Sequence, residues 1–503
     1  MYTHFYSKGE NRMKKKIKKL VSSVLAFVIA FSALTIIPGN VLHAWYVSAA
    51  ELVGGETGAE ETYQSGSFTY TLVNEYTNVK LLSSSSDAEG LEIPDTIDGK
   101  YVTVLGGQTF QSNKTLKSVT LPKRLEVIED AAFSGCTSLE SVDFPSSLRS
   151  IGRNAFSGAN ALKTVHFAEG LQSIGTYAFN GCTSLESVVL PSTLGTLASD
   201  AFSSCTGMKS AVVNGTNLAV GNYAFEYSYA LESIAFGEGV KSIGYRTCYQ
   251  CGKISSLTLP DSLESIGNLA FPNLTATELH LGDSLKSIGS EAFANAKQLK
   301  TITIVKSLAA IDSTAFSGAT ALEGITVDAD NPNYSDSDGV LMNKDKTALV
   351  LFPKSRQGQF IIPDTVTAIG DSTFDGCAGL TSVIVGDSVQ TIGTRAFRSC
   401  SGLTEVTLGN GLTAIGNEAF YGCPKLQNED FFVYNRIRSI KGDVNGDEEI
   451  TISDVTLLQQ YLADLETLDA LGLAAADANG DGIINISDAT HIQKYIAEII
   501  TEM

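Results

Sequence analysis

Ala132-Phe133-Ser134-Gly135-Cys136-Thr137-Ser138-Leu139-Glu140-Ser141-Val142-Asp143-Phe144 is one copy of a pattern that recurs along most of the chain. Phe stands at 110, 133, 156, 179, 202 and 225, always 23 residues apart. Cys248 takes the next slot, and Phe271, Phe293, Phe316, Phe374, Phe397 and Phe420 follow. One interval is 22 residues and one, from Phe316 to Phe374, is 58, which gives 13 rungs and a single 35-residue insertion. Around each Phe runs A-F-x-x-C-x-x-L-x-x-V-x-L-P, then L-x-x-I-G; Ala396-Phe397, Cys400, Leu403, Val406 and Leu408 form a second copy. A fixed period of this size signals a solenoid, whose units bury their apolar faces only against their neighbours. It also explains the length. A chain of 503 residues exceeds the ~100–200 of one compact domain, a limit that an elongated array escapes.

Val119 and Leu121, two apart, put both side chains on one face of a short strand. Stacked rungs then turn these positions into continuous columns. The Gly after the Ile (Gly152, Gly175, Gly244, Gly267, Gly393, Gly416) and the Pro after the strand (Pro122, Pro145, Pro191, Pro260) punctuate the turns. The units resemble the BspA-like class of bacterial leucine-rich repeats over about residues 100–426. That resemblance implies a leucine-rich repeat solenoid of short strands, about 13 rungs of 23 residues, over 104–426. The strand-rich stretch Phe68–Thr103 looks like its N-terminal cap, bounded at 50–103. The insertion near 328–364 reads as an irregular rung with a hairpin, Gly339–Met342 then Ala348–Phe352.

The N-terminus reads as a signal peptide over residues 1–49. Lys14, Lys15, Lys16, Lys18 and Lys19 precede an apolar run, Leu20–Ile37, and Val47-Ser48-Ala49 supplies small residues for cleavage. The start is Met1 or Met13, and an uncleaved anchor is the alternative reading. The formal charge is −20, and residues 442–503 alone hold 13 acidic residues against one Lys. That balance argues against nucleic acid or an anionic membrane surface as partner and suits divalent cations. With the signal removed, no membrane partner is expected.

Seven of the eight Cys (136, 182, 205, 251, 377, 400, 423) fall three residues after the Phe slot, which marks a small buried core position. The Cys248-x-x-Cys251 pair arises only because Cys248 occupies the Phe slot. Cys182/Cys205 and Cys377/Cys400/Cys423 lie on adjacent rungs about 4.8 Å apart, so oxidation across rungs stays open. His166 and His280 share one outward strand position where other rungs carry Thr, Val or Ala. Neither has a nucleophile tied to it by a local motif, and no catalytic residue is expected.

Two surface features offer contact area. A ladder of Ser118, Ser141, Thr164, Ser187, Ser210, Ser233, Ser256, Thr301 and Ser382 suits either a solvated strand row or a polar docking strip. Tyr223, Tyr227, Tyr229, Tyr245 and Tyr249 fall within two neighbouring rungs, as a ligand patch or as packing over rung edges.

Two loops 34 residues apart then carry oxygen side chains at calcium-ligand spacing. The first offers Asp443, Asn445, Asp447, Glu449, Thr451 and Asp454; the second offers Asp477, Asn479, Asp481, Asn485 and Asp488, with the seventh position, Glu449 or Ile483, giving its backbone carbonyl. Two bound Ca²⁺ ions are expected. The sixth position of the first loop is Glu448, where the sharp turn prefers Gly. Each loop enters an amphipathic helix, with Leu458, Tyr461 and Leu462 answered by Ile492, Tyr495 and Ile496.

Two loop–helix units with Asp at the twelfth position resemble a type I dockerin over Gly442–Ile499, a small all-α calcium-binding module (442–503) joined by a linker, 427–441. The resemblance implies that calcium folds the module and that it docks a cohesin on a scaffoldin. In that family the pair at positions 10 and 11 leads recognition; here it is Ile452-Ser453 and Ile486-Ser487, identical in both loops. Together these features imply a secreted non-catalytic component of an extracellular, cellulosome-like complex, its repeats contacting a protein or glycan. The alternatives are a cell-surface adhesin displayed through an anchored scaffoldin and a cryptic polysaccharide-degrading enzyme.

Overall fold

A computed structural model describes residues 61–426, 442–445, 449–463, 465–466, 468, 475–479 and 483–497. The targeting segment and the linker 427–441 lie outside the described residues.

Each rung contributes two short parallel strands and one strandless corner. The first strand row begins at the Ser/Thr ladder: Ser118–Thr120, Ser141–Asp143 and Thr164–His166 pair in parallel, residue on residue one rung later. In it the middle residue is buried and its two neighbours exposed, as alternation on a half-buried strand requires. The second row is built from two-residue strands, Val127–Ile128, Ser150–Ile151 and Ser173–Ile174, again in register. It runs unbroken from the cap to Ala310–Ile311, because strand Asn78–Ser84 of the cap pairs in parallel with Lys100–Leu105. At the corner Phe133 N–H donates to Ala155 C=O at 2.7 Å and Gly135 N–H to Ser157 C=O at 2.8 Å. The backbone is therefore zipped to the next rung on every side.

The core is a stack of rings. Phe110, Phe133, Phe156, Phe179 and Phe202 follow one another at 5.0 Å between centroids, nearly parallel. The largest fully buried side chains are all Phe. Burying each is worth about 1.5–3 kcal/mol, and ring pairing adds about 0.5–1.5 kcal/mol. Cys248 interrupts the stack between Phe225 and Phe271.

The insertion departs from expectation. Phe352 N–H donates to Thr373 C=O, the bond that slot residues such as Phe133 and Phe374 make, and its ring lies 4.6 Å from Phe374. So Phe352 fills a slot that the 23-residue period could not find, because its intervals are 36 and 22 and Leu351 replaces the preceding Ala. The array has about 15 turns with the cap strand counted, not 13. The expected hairpin is part of a three-stranded antiparallel meander that also includes Tyr334–Ser337. Its residues face two cores: Leu341 and Leu351 pack toward the N-terminal cluster, Val340, Met342, Leu349 and Phe352 toward the C-terminal one. Asn331, fully buried, ties the start of the insertion to the preceding rung, donating to Val305 and Leu308 carbonyls and accepting from the backbone of Asn333 and Tyr334.

The Gly after the Ile has a different reason from the one its position suggests. Gly175 has no positive φ; a Cβ there would lie 2.7 Å from the backbone of Gly152 in the previous rung. Close approach, not turn geometry, demands it. The left-handed positions lie instead two residues on either side of the Phe, as at Asn154 (φ 55°) and Gly158 (φ 73°).

All eight Cys are free thiols. The column three after the Phe is more than a space-filler. Cys136, Cys182, Cys205, Cys251 and Cys400 each donate Sγ–H to the Phe carbonyl of the preceding rung at 3.1–3.3 Å. Burial pushes the Cys205 thiol up to about 12 and Cys136 up to about 11, so the thiol form persists. In one rung the column holds Ser228, wholly buried, whose shorter side chain leaves its hydroxyl without a hydrogen bond.

These contacts give two stability predictions. Ser228→Cys restores the cross-rung donor and removes the unsatisfied hydroxyl, raising stability by about 1–2 kcal/mol in urea titration under reducing conditions. Gly175→Ala forces adjacent rungs apart and costs about 1–3 kcal/mol, whereas Gly158→Ala, which meets only left-handed strain in open space, costs about 1 kcal/mol by the same titration.

Candidate calcium-binding docking module and tyrosine corner

In the C-terminal module, helices α1 (Ile452–Leu462) and α2 (Ile486–Ile496) begin in the same way. Thr451 and Asn485 are the N-caps, and the Asp three residues on completes a capping box in each. That Asp, at the twelfth loop position, is fully buried: Asp454 and Asp488 both show no exposed surface. One carboxylate oxygen of Asp454 accepts the Asn445 N–H at 3.0 Å and the other accepts Thr451 N–H at 2.8 Å. Asp488 does the same with Asn479 (3.2 Å) and Asn485 (2.9 Å). Each Asp thus ties the third and ninth loop positions to a helix N-terminus, where negative charge is favoured.

The expected ligands Asp443, Asn445, Glu449, Thr451, Asp477, Asn479, Ile483 and Asn485 lie in these two loops, while Asp447 and Asp481 lie outside the described residues. Asp443 is buried and Glu449 exposed. Among the described residues, no three acidic, His or Cys side chains converge on one point. The donor set still fits a hard cation: it is oxygen throughout, and the fully buried carboxylates of Asp454 and Asp488 are held by backbone amides rather than by a cationic side chain among the described residues.

A small core holds the two units together, with Val444, Val455 and Leu458 from one and Ala476, Ala478, Ala489 and Ile492 from the other. Tyr461 and Tyr495 are half-buried, and Ile496 is exposed rather than packed. Ile452 and Ile486 are 62% and 61% exposed, each followed by an exposed Ser453 or Ser487. Large aliphatic side chains at such exposure, at matching helix starts, form two equivalent contact points.

On the repeats, the structure gathers the five tyrosines on the Phe-bearing corner of two adjacent rungs. Tyr223 N–H donates to Tyr245 C=O and Tyr227 N–H to Tyr249 C=O. The Tyr223 and Tyr245 rings meet edge to face at 5.2 Å, and Tyr227 lies 6.1 Å from the half-exposed Tyr229. Sequence reading missed the charges among them. Arg246 lies 3.8 Å above the Tyr249 ring, and its Nε is 3.8 Å from Oε1 of Glu226, which is buried. Burial raises the Glu226 carboxyl above the ordinary range, and does the same for Asp200 one rung earlier. The signal was the column: Asp200 and Arg246 stand two before the slot, as Tyr223 does.

His166 and His280 do share an exposed row, but the row also holds Asp143, contrary to the expectation of Thr, Val or Ala. Asp143 Oδ1 is 2.9 Å from His166 Nδ1. An ion pair this exposed contributes little.

A family model for the BspA type leucine rich repeat region matches residues 103–232, 218–337 and 350–459, in six copies. A second, for the dockerin type I domain, matches 441–497. No curated protein matches the chain. Among solved structures, a leucine-rich repeat protein from Bacteroides ovatus is 24% identical, covering 73% of this chain and 93% of its own with a TM-score of 0.57. A leucine rich cell surface protein from Faecalibacterium prausnitzii, also 24% identical, covers 73% and 82% with a TM-score of 0.40. The first supports the repeat fold. Dockerins of this type bind calcium and cohesins, and both families are non-catalytic kinds of domain. The chain belongs to the BspA-type leucine-rich repeat family and carries a type I dockerin at residues 441–497.

Proposed function

We propose that the protein is a secreted, non-catalytic component of an extracellular, cellulosome-like complex engaged in polysaccharide breakdown. Its C-terminal module binds two calcium ions through the twelve loop positions named above and docks a scaffoldin cohesin through Ile452-Ser453 and Ile486-Ser487. The repeats carry the binding surface for a protein or glycan. The observation that carries this reading is the internal symmetry of the module: two buried Asp, two identical N-cap boxes and two equally exposed Ile-Ser pairs. The basic and apolar segment at 1–49 supports export. Among the described residues, no helix is long and apolar enough to cross a membrane. Calcium, when bound, supplies the positive charge that the buried carboxylates lack; the chain's own contribution is to hold Asp454 and Asp488 at two helix N-termini.

Symmetry makes docking degenerate. Charged replacement of one pair (Ile452→Asp with Ser453→Asp) removes one of two orientations and weakens cohesin binding by about twofold in surface plasmon resonance. Replacing both pairs abolishes it, and loss on the single replacement refutes the two-orientation reading.

The loops differ at the sixth position. Glu448 takes a turn position that prefers Gly, at a cost on the order of 1 kcal/mol, or about fivefold in Kd. Calorimetry on the Asp488→Ala chain, with only the first loop intact, therefore gives weaker calcium binding than on Asp454→Ala. Equal or reversed affinities contradict this.

A further inference from the structure

We propose that the tyrosine corner around Tyr223, Tyr245 and Tyr249 is a binding site for a neutral polysaccharide chain, an assignment that rests on the repeats being a ligand-binding surface. Two adjacent rungs here differ from the rest in their core ring stack and in their buried polar groups. Tyr223 (φ 59°) and Tyr227 (φ 61°) take the left-handed positions on either side of the slot, as Tyr177, Leu269 and Ser399 do in other rungs. Each costs on the order of 1 kcal/mol. Cys248 breaks the ring stack at the same place. Glu226, more than nine-tenths buried, holds Oε1 without a hydrogen bond, facing an Arg246 Nε that also lacks one. The broken ring stack and the unsatisfied pair do not stabilise the fold, and such local costs gather where a surface is used.

The chemistry present selects the ligand class. Tyr223 and Tyr245 stand 82° apart, and the Arg246 guanidinium holds the Tyr249 ring, so the platform is rigid before anything binds. Aromatic faces receive the C–H faces of pyranose rings. Tyrosine hydroxyls and the guanidinium donate and the half-buried Asp200 accepts, the complement that vicinal sugar hydroxyls need. The cation is matched by the neighbouring carboxylates, which leaves no excess charge for an anionic polymer. Size decides against a protein. Two rungs span about 10 Å of the axis, whereas a stable protein interface takes about 800 Å² per partner. A linear sugar chain lying along the rungs, with units about as long as the rung spacing, is a better fit.

Affinity electrophoresis of the full chain with calcium, in gels containing hydroxyethylcellulose, arabinoxylan, xyloglucan or galactomannan, tests the proposal. Retardation by at least one polymer is expected. Tyr245→Ala and Tyr249→Ala should each weaken it about tenfold or more, while Tyr421→Ala, equally aromatic and 68% exposed on another rung, leaves it unchanged. Tyr227→Gly relieves strain and serves as the folding control, with a denaturation midpoint at or above that of the parent. Retardation unaffected by the tyrosine variants overturns this site but leaves ligand binding by the repeats standing. Absence of retardation in all four gels overturns the glycan assignment; a protein partner whose binding the same variants abolish would overturn it as well, while preserving the wider reading.

Discussion

Stacking of one rung on the next at close to 5 Å is the constraint from which the rest of the repeat domain follows. Phe rings repeat at 5.0 Å and the backbone is bonded across rungs on every side. At that spacing any side chain between two backbones must be small or absent, which is why Gly175 has no room for a Cβ. It also leaves each Phe carbonyl within reach of a thiol one rung on, and a row of cysteines answers it. Hydrophobic burial and hydrogen bonding thus act on the same period, and neither stabilises a single rung in isolation.

In the C-terminal module the corresponding constraint is the helix N-terminus. A buried carboxylate there satisfies backbone donors at two loop positions, and the duplication repeats the solution with little change. Because the loop positions are consecutive in sequence, the candidate loops could be read without coordinates, and the Ile-Ser pairs read with them are exposed. Its completion at Asp447 and Asp481 lies outside the described residues.

The repeats were legible to the extent that their period was strict. Phe positions and the thiol column followed from spacing. Phe352 did not, since it is displaced from the period, and the meander around it obeys local antiparallel pairing instead. The glycines were found at the right positions for the wrong reason, because a sequence records a missing Cβ but not what would have struck it. At the tyrosine corner the rings were visible as a cluster, whereas Glu226 and Arg246 were not. A lone Glu or Arg in a sequence carries no mark of burial, and only the neighbouring rung makes Glu226 a buried acid.

The insertion has a mechanical meaning. It closes the N-terminal core with Leu341 and Leu351 and opens the C-terminal one with Val340 and Phe352, and the two cores are separate clusters. A load applied between the tyrosine corner and the C-terminal module must cross this joint, where the continuous second row has ended at Ala310–Ile311. Under tension such an array yields in sections rather than as a whole, and the hydrogen bonds of Asn331 brace the N-terminal side of the joint, between the rung at Val305 and Leu308 and the start of the insertion.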